Sequence, residues 1–594
     1  MADSSTSVAT DRGSRGEEQV WQKGGAPEQS CRVDPEGEET AGRVTTPTGN
    51  LHFANASGTL PEMGETLGVK LGELVSRGPV PFFTTFLTRT LKNSPVAKAS
   101  EVLGWATRKW ATDRIVERID GEFRAAIERF ARQVGMSTDS LLKAYALPES
   151  FLWLVGTVNR MAGRPRAAGM GQPPIGGCTS AVVRPPGSET TLHARNFDYF
   201  GTGFWERAAS VQFYHPNAGL DYVSVSAAGI LGGGLTAMNS AGLTLAVHQH
   251  FVDKFDFNGV PVGLAGDRVM RRARNIDEAV EVLRNNPPIA GWSYVLTEGD
   301  TGEAAIFETM PGTENYYRLP SEERRLAYSN VYWGEKLQKA EIDYYPEYRR
   351  DNHARQTRAL AKTGALADRD EPATPQEMAS ILGDFYDPTD ERERLMGRTI
   401  ASVHTISSVV FEPEHRRVWV GAGASPAARN WMIPFRLTRP EEPSRGGPDR
   451  DSEPFHPCIG WERTAHGQAF ELYREACISE STDEPDKRLL IQIEHALAVY
   501  PEDPALHILA GLLALRSHRA RRAEGAFRSA LDRLNDLSRR AEVMLYLAWS
   551  LDLQERRSSA RQMYREVGRS AAADPDVERR AKTGRWWAFS EAKA

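Results

Sequence analysis

Cysteine is scarce. The 594-residue chain has four, Cys31, Cys178, Cys458 and Cys477, scattered too widely for a disulfide framework or a paired metal-ligand pattern. HExxH, Cys-x-x-Cys and the Walker-type glycine loop are all missing, so the sequence offers no metal site, no cofactor and no nucleotide-phosphate cradle. The glycine run from Gly229 to Gly234 lacks the strand, helix and acidic partner of a dinucleotide site and is expected to be a close-packed turn. A basic excess is also missing. Lys and Arg total 73 against 79 Asp and Glu, a net charge of -6, which argues against nucleic acid as the partner. No apolar run reaches the ~18 residues of a membrane span. The start, MADSSTSVATDRGSRGEEQ, lacks the apolar core of a secretory leader, so a cytoplasmic protein is expected. What remains is the composition of a globular chain, 40% hydrophobic and 26% charged, and too long for one core.

The chain changes character along its length. Residues 1–48 are rich in Ser, Thr, Gly and Glu and are expected to be a disordered tail. Residues 49–177 are predicted to be mainly helical, with WATRKWATDRIVERIDGEFRAAIERFARQV as one long amphipathic stretch. From Cys178 to 437 the period switches to two in VSVSAAG, LTLAVHQH, SYVLTEG, EAAIFET and RVWVGAG. Helical patterns interrupt near 262–286 and after Thr374-Pro375-Gln376-Glu377, a capping box with proline at the first helical position. This order fits two stacked antiparallel sheets covered by helices. A linker dense in Pro, Gly and charge follows at 438–462. Residues 463–594 are helical again. Ala523-x-x-x-Phe527 recurs as Ala560-x-x-x-Tyr564, and Asp503-Pro504 as Asp574-Pro575, which resembles a tetratricopeptide repeat. Such an array is expected to bind a peptide or protein, to self-associate, or only to cap the enzyme.

Chemistry concentrates at Gly176-Gly177-Cys178-Thr179-Ser180 and Arg195-Asn196-Phe197-Asp198. Taken alone, Cys178 reads as a buried small hydrophobe and Gly-Gly as a turn. Only a thiolate attacks, and a free thiol titrates near ~8.5. An arginine and a carboxylate one strand later are placed to govern its charge. A glycine on its N-terminal side leaves the preceding peptide bond uncrowded. The constellation suggests a cysteine that cuts the bond between Gly177 and itself. Its freed α-amine, titrating near ~8, then serves as general base beside its own thiol.

CTSAVVRPPGSETTLHARNFDY resembles the N-terminal-nucleophile cysteine amidases and acyltransferases of the isopenicillin-N acyltransferase, acid ceramidase and bile-salt hydrolase type. Met238-Asn239-Ser240-Ala241-Gly242-Leu243, Ala327-Tyr328-Ser329-Asn330 and TISSVVFEPEHRRVWVGAG follow in the family's order, so the resemblance spans about residues 50–437. It implies a four-layer αββα sandwich of the α+β class, with the helical segment before Cys178 as a pro-part, released or retained. It implies Cys178 as nucleophile, Arg195 favouring the thiolate, Asp198 orienting the α-amine and Asn330 as oxyanion donor. His248, a candidate substrate-binding residue, stands where the family often has asparagine; a backbone N–H there would still serve the oxyanion hole, and an imidazole titrating there is expected to alter the pH profile. Asn239 is expected to form a turn, with a lesser role at the site. Arg355 resembles one of the family's arginine pair and is a candidate for substrate binding or for support behind it.

The expected reaction is hydrolysis or acyl transfer of a linear amide through a thioester on Cys178, since water and amine compete for the same intermediate. Phe197, Tyr199, Phe200, Phe204, Trp205 and Trp292 would build an apolar acyl pocket, or be ordinary core. The alternative from another class is a scaffold whose helical repeats bind a partner beside an inactive amidase-like domain.

Overall fold

The computed structural model describes residues 31–36, 41–92, 100–162, 177–184, 191–343, 347–481 and 485–590. The larger sheet has ten strands in the spatial order β1 (Arg32–Glu36), β2 (Ala41–Thr46), β3 (Gly49–Gly58), β6 (Ala209–Pro216), β7 (Tyr222–Ala227), β8 (Thr236–Asn239), β9 (Leu243–His250), β10 (Gly291–Glu298), β11 (Ala304–Met310) and β12 (Thr313–Arg318). The smaller runs β13 (Arg325–Tyr328), β4 (Thr179–Val183), β5 (Leu192–Asp198), β16 (Thr405–Glu412), β17 (Arg417–Ala422), β18 (Trp431–Leu437) and β19 (Gly446–Pro448). A two-stranded ribbon joins β14 (Tyr386–Asp387) to β15 (Arg392–Glu393). Neighbours pair antiparallel except β3 and β6, which are parallel.

Alternation within the strands sorts their side chains between two cores. On one face, Phe53, Val211, Phe213 and Val223 of the large sheet share a core with Val409, Phe411, Val418 and Phe435 of the small one. On the other, Ala54, Leu245, Val247, Trp292 and Tyr294 meet helices. These are α1 (Leu60–Val75), α2 (Pro79–Lys92), α5 (Gly121–Val134), α6 (Thr138–Tyr145), α7 (Leu147–Ala162), α8 (Val262–Arg272) and α9 (Ile276–Arg284). Between α2 and α5 lie α3 (Ser100–Thr107), a π-turn at Arg108–Thr112 and α4 (Asp113–Glu117). Behind the small sheet, Ala181, Ala194 and Trp419 pack against α11 (Tyr348–Ala367) and α12 (Pro375–Leu382), the short α10 (Glu335–Gln338) lying before them.

Caps decide several boundaries. The long stretch read as one helix breaks at Asp120, whose carboxylate accepts from the Phe123 amide at 2.9 Å and restarts the chain as α5. Thr374 and Glu377 form the reciprocal capping box of α12. Gly64 lets α1 approach α5 so closely that a Cβ there would strike the Ala126 carbonyl.

Two expected boundaries move. Strands β1 and β2 lie within the segment expected to be a tail, with Cys31 and Val44 buried, because that stretch completes the edge of the large sheet. Residues 1–30 of that expected tail lie outside the described residues. The expected linker at 438–462 packs on the two-sheet domain: β19 pairs with β18, and Phe455 bridges to Met432. Beyond it stand α13 (Ala465–Ser481), α14 (Asp486–Val499), α15 (Pro504–Arg516), α16 (Ala520–Leu531), α17 (Leu537–Asp552), α18 (Arg557–Val567) and α19 (Pro575–Trp586). Each packs on the next. Among the described residues no helix is long and apolar enough to cross a membrane.

Candidate active site

Cys178 sits just before β4, and the register carries it to its neighbours. Thr179 pairs with Asn196 on β5, and Ser180 with Tyr328 on β13, so Cys178 lies beside the end of β5 and the start of the loop bearing Asn330. Arg195, buried on β5, points a guanidinium Nη2 at Cys178 Sγ across 3.6 Å. The same guanidinium donates to the carbonyls of Leu235 and Val247 at 2.6 Å each, which fixes its orientation. Burial pushes the Cys178 thiol up, against the pull of the Arg195 charge. Asp198 closes β5. Burial raises its carboxyl to about 6 despite Arg355, Thr405 and Arg195, and its Oδ1 accepts no hydrogen bond.

Arg355 proves central. From α11 its Nη1 donates to the Gly177 carbonyl oxygen, to Thr179 Oγ1 at 3.0 Å and to Asp198 Oδ2 at 3.4 Å. Its Nη2 donates to Asn352 Oδ1, one turn earlier on the same helix. Asn330 Nδ2 donates to the Gln249 carbonyl at 2.6 Å, and its Oδ1 has no partner. A Cβ added to Gly177 would collide with the Asn330 amide and the Arg355 guanidinium, so a side chain before the cysteine would have to displace both.

Two candidates lie elsewhere. His248 faces the inter-sheet side of β9, where its Nε2 meets Ser180 Oγ at 2.9 Å. Burial first, and the Arg195 charge next, hold its imidazole well below the ordinary range. The expected titrating imidazole is therefore corrected to a neutral strut: alternation turns Val247 and Gln249 to the site and His248 away. Asn239 bonds the carbonyls of Met270 and Ala273 and the Leu243 amide, ending β8 outside the site. Thr179 and Thr405 lay within the quoted motifs without a role of their own, and Gln249 and Asn352 were not flagged. Only the spacing of Asn352 and Arg355, three apart on one helix face, was there to be seen.

A cavity opens beside Cys178, Asp198 and Asn330, with about 1290 Å³ of empty space when its mouth out to open solvent is included. One wall comes from the chain before the cysteine: Val80 and Phe83 of α2, Ile127 and Phe130 of α5, Leu141 and Ala144 of α6. The other comes from Phe197, Tyr199, Trp205, Phe251 and Trp292. Phe200 and Phe204, also expected there, pack instead against Phe86 and Phe82. The Gly229–Gly234 turn lines the cavity, as a close-packed turn should.

Residues 185–426 match a family model. Its description is acyl-coenzyme A:6-aminopenicillanic acid acyl-transferase. The matched segment begins downstream of Cys178 and takes in Arg195, Asp198, Asn330 and Arg355. This similarity supports an acyltransferase or hydrolase activity of the N-terminal-nucleophile type. No match to a curated protein was found.

Proposed function

We propose that this chain is a self-processing cysteine enzyme that hydrolyses or transfers the acyl group of a linear amide. In maturation, Cys178 Sγ attacks the Gly177 carbonyl carbon, and the oxyanion forms at the oxygen that Arg355 already bonds. The C–N bond breaks, the proton goes to the Cys178 nitrogen, and a thioester joins Gly177 to Sγ. Water hydrolyses it, leaving the Gly177 carboxylate, the free thiol and the α-amine of Cys178.

In turnover the α-amine takes the thiol proton, and the unpartnered Asp198 Oδ1 supplies an acceptor to hold that amine. Arg195 stabilises the thiolate by its charge. The second N–H of Asn330 Nδ2, its first bound to Gln249, serves the substrate oxyanion. The acyl-thioester then passes to water or to an amine. The apolar lining of the cavity suits an apolar acyl group, at about 0.8 kcal/mol per buried methylene.

The layers of helix, sheet, sheet and helix fit the αββα sandwich of such enzymes. The helices before Cys178 form one wall of the cavity, which favours a pro-part that stays bound after the cut. The observation that carries the reading is the grip on one peptide bond: Arg355 and Asn330 close on Gly177 directly before a buried cysteine that faces an arginine. Intact-mass spectrometry tests it. The parent should yield a fragment starting at Cys178, and Cys178→Ala should stay at 65.8 kDa and inactive. An uncut parent that turns over no amide sinks the proposal.

A further inference from the structure

The C-terminal helices hold more than each other. Phe385, Leu395, Met396 and Val403, from the segment between α12 and β16, are buried in the same core as Phe470, Tyr473 and Leu506. Three aspartates at the starts of alternate helices face that segment and α11, about one helical hairpin apart. Asp503 accepts from the Ala505 amide of its own helix with Oδ1 (2.7 Å) and from the Leu395 amide with Oδ2 (2.5 Å). Asp536 likewise accepts from the Arg539 amide (2.6 Å) and from Arg398 Nη2 (2.9 Å). Asp574 accepts from Arg350 Nη2 at 2.6 Å. Each of the first two spends one oxygen on its helix and the other on the catalytic domain.

The gripped residues lead to the site along two short paths. Arg398 also pairs with Glu347 (3.0 Å) and Asp351 (3.5 Å) in the first turn of α11. Arg355 lies one turn further along this rod, ~7.5 Å from Arg350 by helical rise. On the other path the Val403 carbonyl accepts from Thr202, the His404 carbonyl accepts from the Tyr199 amide, and Thr405 pairs with Asp198. Both segments that carry Arg355 and Asp198 therefore end on the aspartate ladder.

We propose that the C-terminal array is an internal clamp whose ligand is this chain's own 384–404 segment and the start of α11. Arg398 is its positioning residue, setting Arg355 and Asp198 against the Gly177–Cys178 bond. The activity part of the test rests on the function proposed above; the exchange part does not.

The variants are Asp536→Asn, Arg398→Gln and Arg398→Lys in the full chain. Asparagine caps helices as well as aspartate, so the first removes only the charge facing Arg398. Hydrogen exchange of the amides of 348–358 and 400–405, the self-cleavage rate, and kcat and KM are measured. For Asp536→Asn and Arg398→Gln the expectation is ~tenfold faster exchange in both segments and ~tenfold slower cutting and kcat, since small misplacements are costly, with KM within about twofold. Arg398→Lys should recover most of each. Unchanged exchange overturns the clamp, as does parental cutting and turnover in a loosened variant. A parent that neither cuts nor turns over an amide fails the function while exchange still decides the clamp. If the buried variants do not fold, Asp574→Asn removes the half-buried outer rung and should loosen 348–352 alone; no change there also overturns the proposal.

Discussion

Glu149 brings a carboxylate into the wall between α7 and α8, where Oε1 accepts the Val262 amide at 2.7 Å and Oε2 has no partner. Burial raises its carboxyl to about 7. A carboxyl whose folded value lies above its unfolded one stabilises most at low pH, and that contribution is lost as pH rises through the folded value. Glu149→Gln keeps an acceptor for Val262 and removes the titration. The variant's melting temperature should therefore exceed the parent's by an amount that grows from about pH 4.5 to 7 and then levels off. A constant difference across that range would refute the assignment. Asn330→Ala should fold and keep KM near the parent's while kcat falls roughly 10²–10³-fold, as for one lost oxyanion donor. Steady-state kinetics with a melt as control decides it. At this scale the sequence was informative where the chemistry is local. Cys178, Arg195 and Asp198 lie within one hairpin and gather as their spacing implied. His248 misled because its motif position says nothing about which face of β9 it occupies. Arg355 was underweighted because its contact with Gly177 spans 178 residues of chain.

Helices and strands were legible in type more than in partner. Period-two runs became β7, β9, β10, β11 and β17, although nearly every position in them is buried because each strand feeds a core on both faces. The helices before Cys178 announced apolar faces, but not that the faces of α2, α5 and α6 would finish an acyl cavity. That wall is testable. Ala144→Trp on α6 projects a large ring into the cavity. It should lower kcat/KM for long-chain acyl amides by about tenfold or more, with short-chain amides little affected. A chain-length series assayed on parent and variant reads this directly, and a uniform loss across lengths would remove α6 from the acyl wall.

Across the molecule, the boundary at 463 invites a truncation that the fold does not tolerate. Removing 463–594 uncovers Phe385, Leu395, Met396 and Val403. Each is worth about 1.5–3 kcal/mol of burial, against a net domain stability of ~5–15 kcal/mol. The shortened chain should be largely insoluble, or melt far below the parent, as soluble yield and a thermal scan would show. The sequence could not convey this, because Arg394 and Arg398 meet Asp503 and Asp536 across more than a hundred residues, and ion pairs leave no periodicity.

The hold of Arg355 on the Gly177 carbonyl also bears on the order of events during synthesis. Cys178 leaves the ribosome long before Asn330, Arg355 and the helices that steady α11. On the proposed chemistry its bond cannot break until those late arrivals are in place. A severed backbone would then be a time-stamp of finished folding, and stalled or shortened products would stay in one piece and be told apart by mass alone.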